Sequence, residues 1–191
     1  LYPDFVSSVK GLIIGDSHSI SSYIPGYAIS RNDGQTLHGF LNRVYGAPDS
    51  KILTNKLRAY DDLVVYFGNI DMRFHLFRQH DPHKAMIELL KRYVGFCEDF
   101  KATPVCLLPI EPETRKIPGT GQYEGKNFYG SREERARMVE EFNGMLELEI
   151  DCLKWPSEWY EPGFDVESVM EARQSVHLRP TAYRYWNDIK I

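Results

Sequence analysis

Residues 62–68 read Asp-Leu-Val-Val-Tyr-Phe-Gly, and this run is the strongest strand signal in the chain. It is apolar at consecutive positions, which is typical of a strand covered on both faces in a parallel sheet. Residues 11–15 (GLIIG) and 104–110 (PVCLLPI) are runs of the same kind, and residues 27–30 are a further strand candidate. Strands of this type, separated by longer segments, predict a parallel sheet with crossover connections.

Helical signals fill the segments between these strands. Residues 31–45 carry apolar side chains at i, i+3, i+4 and i+7, the spacing of one helix face. Asp81 is a suitable N-cap for a long helix, and Ser131 with Glu134 has the spacing of a capping box. The alternation predicts an α/β fold, a three-layer α/β/α sandwich with a mainly parallel, flavodoxin-like sheet, in a single domain spanning residues 1–191.

Composition narrows the class of protein. The chain has 191 residues, of which 42% are hydrophobic and 26% charged, as in an ordinary globular domain. A net charge of −4 argues against a general nucleic-acid binder, and no apolar run approaches the ~18 residues of a membrane span. Its three widely spaced cysteines favour core thiols in a reducing compartment, so we expect a cytoplasmic protein. The leading residue is Leu1, which also fits a domain excised from a longer protein.

Candidate functional residues follow the predicted strands, because ligands of parallel α/β sheets bind beyond the carboxyl ends of the strands. Ser17 comes directly after the first strand, at a turn where its amide could donate to an oxyanion. A serine needs a base to become a nucleophile, and His177 is the candidate far along the chain. The alternative is that Ser17 only caps a helix.

Three short motifs together support the interpretation that Ser17 is a nucleophile. Residues 15–17 (GDS), 68–71 (GNID) and 176–180 (VHLRP) resemble, in order and spacing, the motifs of the SGNH/GDSL hydrolase family. This resemblance covers the chain from about residue 11 to about residue 188. It implies a serine ester hydrolase in which Ser17 is the nucleophile and His177 the base.

The chain departs from the family pattern at the triad acid. Gln174 stands three residues before His177, where the family has aspartate. A glutamine does not stabilise an imidazolium as a carboxylate does. Glu171 or Asp165 could supply the carboxylate instead, or the enzyme would work as a Ser-His dyad or be inactive.

The oxyanion-hole residues also depart from the pattern. Ile70 occupies the strict asparagine position of the family, and Asn69 comes one residue early. The segment from residue 67 to 73 also resembles a divergent branch with a G-E-I-D-C-R-like motif, in which Asp71 and Arg73 match the site residues. The glycine after the second strand has no single match. Together the oxyanion or substrate-binding candidates are Asp16, Ser30, Arg31, Gly34, Gly68, Asn69, Asp71 and Arg73.

His18, three further histidines and five basic residues can each be interpreted in two ways. His18 either binds substrate or faces solvent beside the site. A cluster of three histidines near Asp81 could bind zinc, but its spacing matches no firm zinc pattern, so we expect surface histidines (His75, His80 and His83). Five basic residues either line an anionic pocket or lie on solvated faces: Arg73, Arg78, Arg115, Lys116 and Lys126.

The sequence therefore predicts a serine-dependent ester hydrolase that removes small acyl groups, such as acetyl, from a carbohydrate or related ester. A glycan O-acyltransferase with the same Ser-His pair is one alternative. A catalytically degenerate domain that binds carbohydrate or protein is the other. The expected partner is a small-molecule or glycan ester, without nucleic acid or membrane, and no metal or organic cofactor is implied. The oligomeric state stays open.

Overall fold

The computed structural model describes residues 9–109, 123–126, 128–172 and 175–185. Within them, four parallel strands form the central sheet, in the order β3-β1-β4-β5. A short parallel pair, β2 with β6, lies apart from it. The strands are β1 (Gly11–Gly15), β2 (Ser22–Tyr23), β3 (Tyr27–Arg31), β4 (Asp62–Tyr66), β5 (Ala102–Pro104) and β6 (Arg184–Tyr185). The prediction of an α/β fold with a mainly parallel sheet is confirmed.

Strand β1 occupies the position at which the strand order reverses. Its Ile13 lies opposite Ile29 of β3 on one side and Val64 of β4 on the other. The chain therefore leaves β1 toward one edge of the sheet and later extends the sheet toward the other edge. Such a reversal opens a crevice at the carboxyl end of the strand. Residue 17 follows that end directly.

Consecutive residues at the end of β4 face opposite sides of the sheet, as a strand requires. Phe67 stacks on Phe40 with ring centroids 4.5 Å apart, and Phe40 in turn packs on Phe96. Tyr66 faces the other side and contacts Trp155, which stacks on Trp159. Both faces of the sheet are thus covered, which explains why every residue between Asp62 and Gly68 is apolar.

Five α-helices are found in the described residues. They are α1 (Leu37–Gly46), α2 (Ser50–Leu57), α3 (Asn69–Phe74), α4 (Pro82–Phe100) and α5 (Arg132–Glu149). Helices α1, α4 and α5 contact one another in that order, and so form one layer against the sheet. None of these helices combines the length and apolar composition needed to cross a membrane.

The predicted helix starts are found where the capping residues indicated them. The Asp81 carboxylate accepts from the Lys84 amide at 2.9 Å, and both hydrogen bonds of the Ser131–Glu134 capping box are present. The helix predicted for residues 31–45 begins only at Leu37, because Thr36 is its N-cap and accepts from the Gly39 amide.

The strand predicted for residues 104–110 is misplaced. Strand β5 lies at Ala102–Pro104, and the apolar residues that follow continue only as an isolated bridge to Leu153. Beyond that bridge, the Asn143 side chain binds both backbone groups of Leu107, at 2.7 and 3.0 Å. A side chain of α5 thus replaces the neighbouring strand, so the segment is buried without being a strand.

Candidate active site

Ser17, His177 and Glu171 form a chain of hydrogen bonds above the carboxyl end of β1. Ser17 Oγ lies 2.9 Å from His177 Nε2, and His177 Nδ1 lies 3.2 Å from Glu171 Oε1. Ser17 is half-buried, and the side chains of His177 and Glu171 are 34% and 48% exposed. These contacts have the geometry of a nucleophile, a base and a carboxylate that orients the base.

Ser17 makes this contact instead of capping a helix. The short 3₁₀ helix that follows, Ser19–Ser21, has His18 at its N-cap position without a side-chain capping bond. The Ser17 amide has no hydrogen-bond partner within the described part of the chain. An unpaired amide beside the hydroxyl is a donor available to an oxyanion.

Hydrogen bonds of the described residues hold Glu171 and His177 together. Met170 and Leu178 form an antiparallel bridge, and the Glu171 amide donates to the His177 carbonyl at 2.9 Å. Ser175 Oγ donates to Glu171 Oε1 at 2.9 Å and accepts from the His177 amide at 3.1 Å. Ser175 thus positions both the acid and the base. Its role was not predicted, because it depends on side-chain contacts that no motif encodes.

The choice between the two alternative carboxylates is settled by their positions. Asp165 caps the 3₁₀ helix Val166–Val169, where its side chain accepts from the Glu167 amide at 3.1 Å. Glu171 is the carboxylate on His177. Gln174, which stands at the family's aspartate position, lies outside the described residues.

The surroundings of His177 favour its neutral form. Burial lowers the pKa of His177 below its usual value, and the nearby His18 lowers it further. The Glu171 carboxylate acts in the opposite direction. A neutral imidazole can accept a proton, so the net lowering suits a base at pH 7.

His18 lies under the site instead of facing solvent. It is 2% exposed, and its ring centroid is 5.3 Å from that of His177. Its Nδ1 lies 2.9 Å from Asp16 Oδ1, and its Nε2 lies 3.0 Å from the Val176 carbonyl. The Asp16 carboxylate and the Val176 carbonyl are both acceptors to which a ring N–H can donate. His18 thus connects the turn after β1 to the residue before His177.

Asp16 does not fit the predicted role in substrate binding. Its side chain is fully buried, and Oδ1 accepts from both the amide and the ring of His18. Its other carboxylate oxygen has no partner in the described residues. The carboxylate therefore has no access to a substrate and instead orients His18.

Helix α3 places the next three candidates. Gly68 has a φ of +124°, and a Cβ there would lie 2.9 Å from the Leu107 side chain. Only glycine fits this backbone, which gives Gly68 a structural role. Asn69 is 3% exposed, and its Nδ2 has no partner among the described residues. Arg73 is 4% exposed, with Nη2 3.5 Å from His18 Nε2.

Asp71 faces α1 and not Ser17. Its carboxylate accepts from the Leu37 amide at 2.7 Å and from the His38 amide at 3.2 Å. Burial raises the pKa of Asp71 to about 7, although the two amides act against this shift. Asp71 therefore ties the start of α1 to α3, and the substrate-binding role predicted for it does not fit.

Ser30 lies beside a hollow away from the triad. It is half-buried in β3 and lines an apolar hollow together with Leu53 and Leu57 of α2. The role of Ser30 at the oxyanion stays a prediction.

Arg31 and Gly34 lie in the turn that follows β3. The Arg31 guanidinium binds both carboxylate oxygens of Asp33. The hydrogen bond to Asp33, and more weakly the charge of Glu171, raises the pKa of Arg31. Arg31 thus lies within electrostatic range of the triad carboxylate. Gly34 has a φ of +74°, which lets the chain turn there.

The three histidines near Asp81 form no metal-binding group within the described residues. His75 binds the Tyr123 hydroxyl and His83 binds Glu141, while Asp81 caps α4. Elsewhere, Cys106 and Cys152 have sulfurs 3.4 Å apart near Glu147. Glu147 pairs with Lys154 through Oε2, and its Oε1 accepts a weak hydrogen bond from Cys106 Sγ at 3.8 Å.

Comparisons with known proteins agree with the fold. No family model matches the sequence, and no curated protein matches it. The structure is similar to that of the lipase Lip_vut3 from a goat rumen metagenome, with a TM-score of 0.54, 12% identity and 91% of each chain covered. A proposed SGNH hydrolase from Slackia heliotrinireducens aligns with a TM-score of 0.48 and 13% identity, over 77% of this chain and 78% of that one. At 12% identity, the likeness to the lipase supports the α/β fold alone.

Proposed function

We propose that this protein is a serine-dependent ester hydrolase that removes small acyl groups, such as acetyl, from a carbohydrate. One observation carries the proposal: Ser17 Oγ lies 2.9 Å from His177 Nε2, while Glu171 Oε1 lies 3.2 Å from the other ring nitrogen. The three residues come from segments about 160 positions apart in the sequence. Chance packing rarely aligns a hydroxyl, an imidazole and a carboxylate in this order.

The reaction follows from these contacts. His177 Nε2 takes the Ser17 proton while Oγ attacks the ester carbonyl carbon and the carbonyl oxygen becomes an oxyanion. Collapse of this intermediate breaks the bond to the sugar oxygen, which receives the proton from His177. A water molecule then attacks the acyl-serine while His177 takes its proton. The bond between Ser17 Oγ and the acyl carbon breaks, Oγ receives that proton from His177, and the carboxylic acid is released. Glu171 stabilises the imidazolium at each stage.

Two donors are suited to the oxyanion. The Ser17 amide has no partner within the described residues and sits beside the attacking oxygen. Asn69 Nδ2 is a second donor, buried beside the Tyr66 side chain. A donor whose hydrogen bond is not already made can donate to the developing oxyanion.

Polar groups around the triad favour a hydroxyl-rich substrate. Glu171 is half-exposed, and the exposed Arg31 lies within its electrostatic range. Carbohydrate hydroxyls bind such groups well, whereas a long acyl chain would leave them desolvated without hydrogen bonds.

The proposal is tested with 4-nitrophenyl acetate on the wild type and on Ser17→Ala. The wild type should release nitrophenol, and the variant should lose at least about 10³-fold in kcat/KM. Ser168→Ala is the matched control, because Ser168 is exposed and bonds only the Asp165 carbonyl. A fluorophosphonate probe should label the wild type and not Ser17→Ala.

The outcomes separate the alternatives. No turnover, together with no labelling of Ser17, would contradict the hydrolase and leave a binding domain. Turnover of nitrophenyl acetate with slow release of free acetate, but fast acetylation of an added oligosaccharide, would favour the acyltransferase. Release of acetate from an acetylated oligosaccharide supports the hydrolase.

A further inference from the structure

A small hollow lies at the end of α3, and its lining contains no residue of the triad. Its volume is about 260 Å³, and its walls include Phe74, His75, Arg78, Tyr123, Lys126 and Tyr129. The sequence analysis left open whether Arg78 and Lys126 share an anionic pocket. The fold brings them to the same hollow, although they are 48 positions apart.

Aromatic packing fixes the base of this hollow. Tyr123 is 9% exposed and stacks on Phe74 with ring centroids 4.4 Å apart. A hydrogen bond of 3.0 Å joins its hydroxyl to His75 Nε2. Phe128 also packs on Phe74. The base is therefore held in place before any ligand arrives, which lowers the entropic cost of binding.

Two cationic side chains lie over aromatic rings of this hollow. Lys126 Nζ lies 5.2 Å from the centroid of the Tyr123 ring, and Arg78 Cζ lies 5.0 Å from that of Tyr129. Each distance is within the range of a cation–π contact. Within the described residues, neither cation is paired with a carboxylate, and the lining of the hollow contains no acidic side chain.

The cations also act on His75. Burial lowers the pKa of His75, and the charges of Arg78 and Lys126 lower it further. Two positive charges thus converge on one small volume of a protein whose net charge is −4. Such a local field attracts an anion of matching size.

We propose that this hollow is a subsite for an anionic group, a carboxylate or phosphate, carried by a sugar residue of the substrate. Arg78 would bind two of its oxygens, and Lys126 would act as a point charge. The proposal rests on the proposed function, because it names the class of glycan that the hydrolase would act on. A volume of 260 Å³ suits one sugar unit and not a long polymer.

The position of the hollow supports a link to the triad. Arg73, whose Nη2 lies 3.5 Å from His18, precedes Phe74 and His75 on the same helix. The Tyr129 amide also donates to the Arg73 carbonyl. At a rise of about 1.5 Å per residue, the hollow begins within one helical turn of Arg73. A sugar bound there can present its neighbour to Ser17.

Binding is measured first, on the Ser17→Ala variant, so that turnover plays no part. Isothermal titration uses trigalacturonate as the carboxylate probe, mannose 6-phosphate as the phosphate probe and maltotriose as the neutral probe. We expect an anionic probe to bind at least about tenfold more tightly than maltotriose, with an affinity that falls as salt rises. Which anionic probe binds identifies the source of the charge.

The variant R78M/K126M removes both charges, and K84M/K91M is the matched control. Arg78, Lys126, Lys84 and Lys91 are all exposed, so none of these substitutions threatens the core. R78M/K126M should weaken binding of the anionic probe about tenfold or more, and K84M/K91M should not. In an otherwise wild-type chain, the same loss should appear in kcat/KM for the acetylated anionic oligosaccharide, while nitrophenyl acetate turnover stays unchanged.

Two results would overturn the subsite. One is equal affinity for the anionic probes and maltotriose. The other is unchanged binding of the anionic probe by R78M/K126M. Failure of the hydrolase is a separate outcome, because Ser17→Ala would then bind the anionic probe while the wild type releases no acetate.

Discussion

Two imidazole–carboxylate pairs lie side by side in this protein, and they differ in what faces the second ring nitrogen. In the first pair, Asp16 binds Nδ1 of His18, and a backbone carbonyl faces Nε2. In the second, Glu171 binds Nδ1 of His177, and the Ser17 hydroxyl faces Nε2. His18 is 2% exposed, whereas the His177 side chain is 34% exposed.

This difference indicates that the two pairs, although chemically similar, have different roles. Within the described residues, His18 Nε2 faces a buried backbone carbonyl and no hydroxyl, so His18 is suited to holding two segments together. A ring nitrogen that meets a hydroxyl can accept its proton, so His177 is suited to general-base catalysis. We infer that the Asp16–His18 pair is structural and that the Glu171–His177 pair is chemical.

The most direct test of this difference between the two pairs is the variant His177→Gln. Loss of the base should lower kcat/KM for nitrophenyl acetate at least about 10³-fold. The melting temperature should change by only a few degrees, since the side chain is partly exposed. His83→Gln is the control, because His83 is an exposed histidine that also binds a carboxylate, that of Glu141. Retained activity in His177→Gln would contradict the chemical role.

The converse test is His18→Leu, which should mainly affect stability. It would remove the ring donors to the Asp16 carboxylate and the Val176 carbonyl, so that the carboxylate keeps only the backbone amide of residue 18. Leaving buried acceptors without these donors costs about 1–3 kcal/mol, to be measured by urea unfolding. His18→Gln, which can replace one donor, should recover part of this loss. A His18→Leu protein as stable as the wild type would contradict the structural role.

Glu171→Gln should reduce activity less than loss of the base, by roughly 10²-fold in kcat/KM. It should also move the acidic limb of the pH profile. The pKa of His177 is already lowered, so the wild-type limb should lie below the usual histidine range near 6.5. Glu171 raises that pKa, and its removal should shift the limb to lower pH.

His18→Gln should shift the same acidic limb to higher pH, because His18 lowers the pKa of His177. Opposite shifts in the two variants would be hard to obtain from general destabilisation. Equal limbs in the wild type and both variants would show that His177 does not set the pH dependence.

The smallest expected effect belongs to Ser175→Ala. Its hydroxyl makes one hydrogen bond to Glu171 and one to the His177 amide. Loss of about 1 kcal/mol of positioning would lower kcat/KM about fivefold, and Ser175→Thr should retain most of it. An unchanged pH profile, with reduced kcat, is the signature expected of a residue that only positions the triad.

Much of the fold could be predicted from the sequence because its signals are local. Residues 62–68 are apolar at every position between their ends, which is the pattern of a strand buried on both faces. The capping residues of α4 and α5 also act within four positions of themselves. Residues 104–110 show what local signals do not predict. Their apolar pattern correctly predicts that they are buried, but it does not predict that the Asn143 side chain takes the place of a neighbouring strand.

The residues of the candidate site could be predicted from the sequence, but the contacts between them could not. Ser17 and His177 follow from motifs, and Glu171 was one of two possible carboxylates. Because both lie near the motifs, the sequence predicts a substrate-binding role for Asp71 and either a substrate contact or a solvent-facing position for His18. Their side chains are instead buried, and they join segments distant in sequence.

The sequence by itself determined which segments are strands and helices, and which residue types could support ester chemistry. Those properties depend on side-chain periodicity and capping over a few neighbouring positions. The tertiary structure alone decided which of two carboxylates meets His177, which histidine is buried beneath it and which cations share a hollow. Hydrogen bonds and ring contacts act over a few ångströms, and residues 160 positions apart reach that range only when the sheet and its layers have packed.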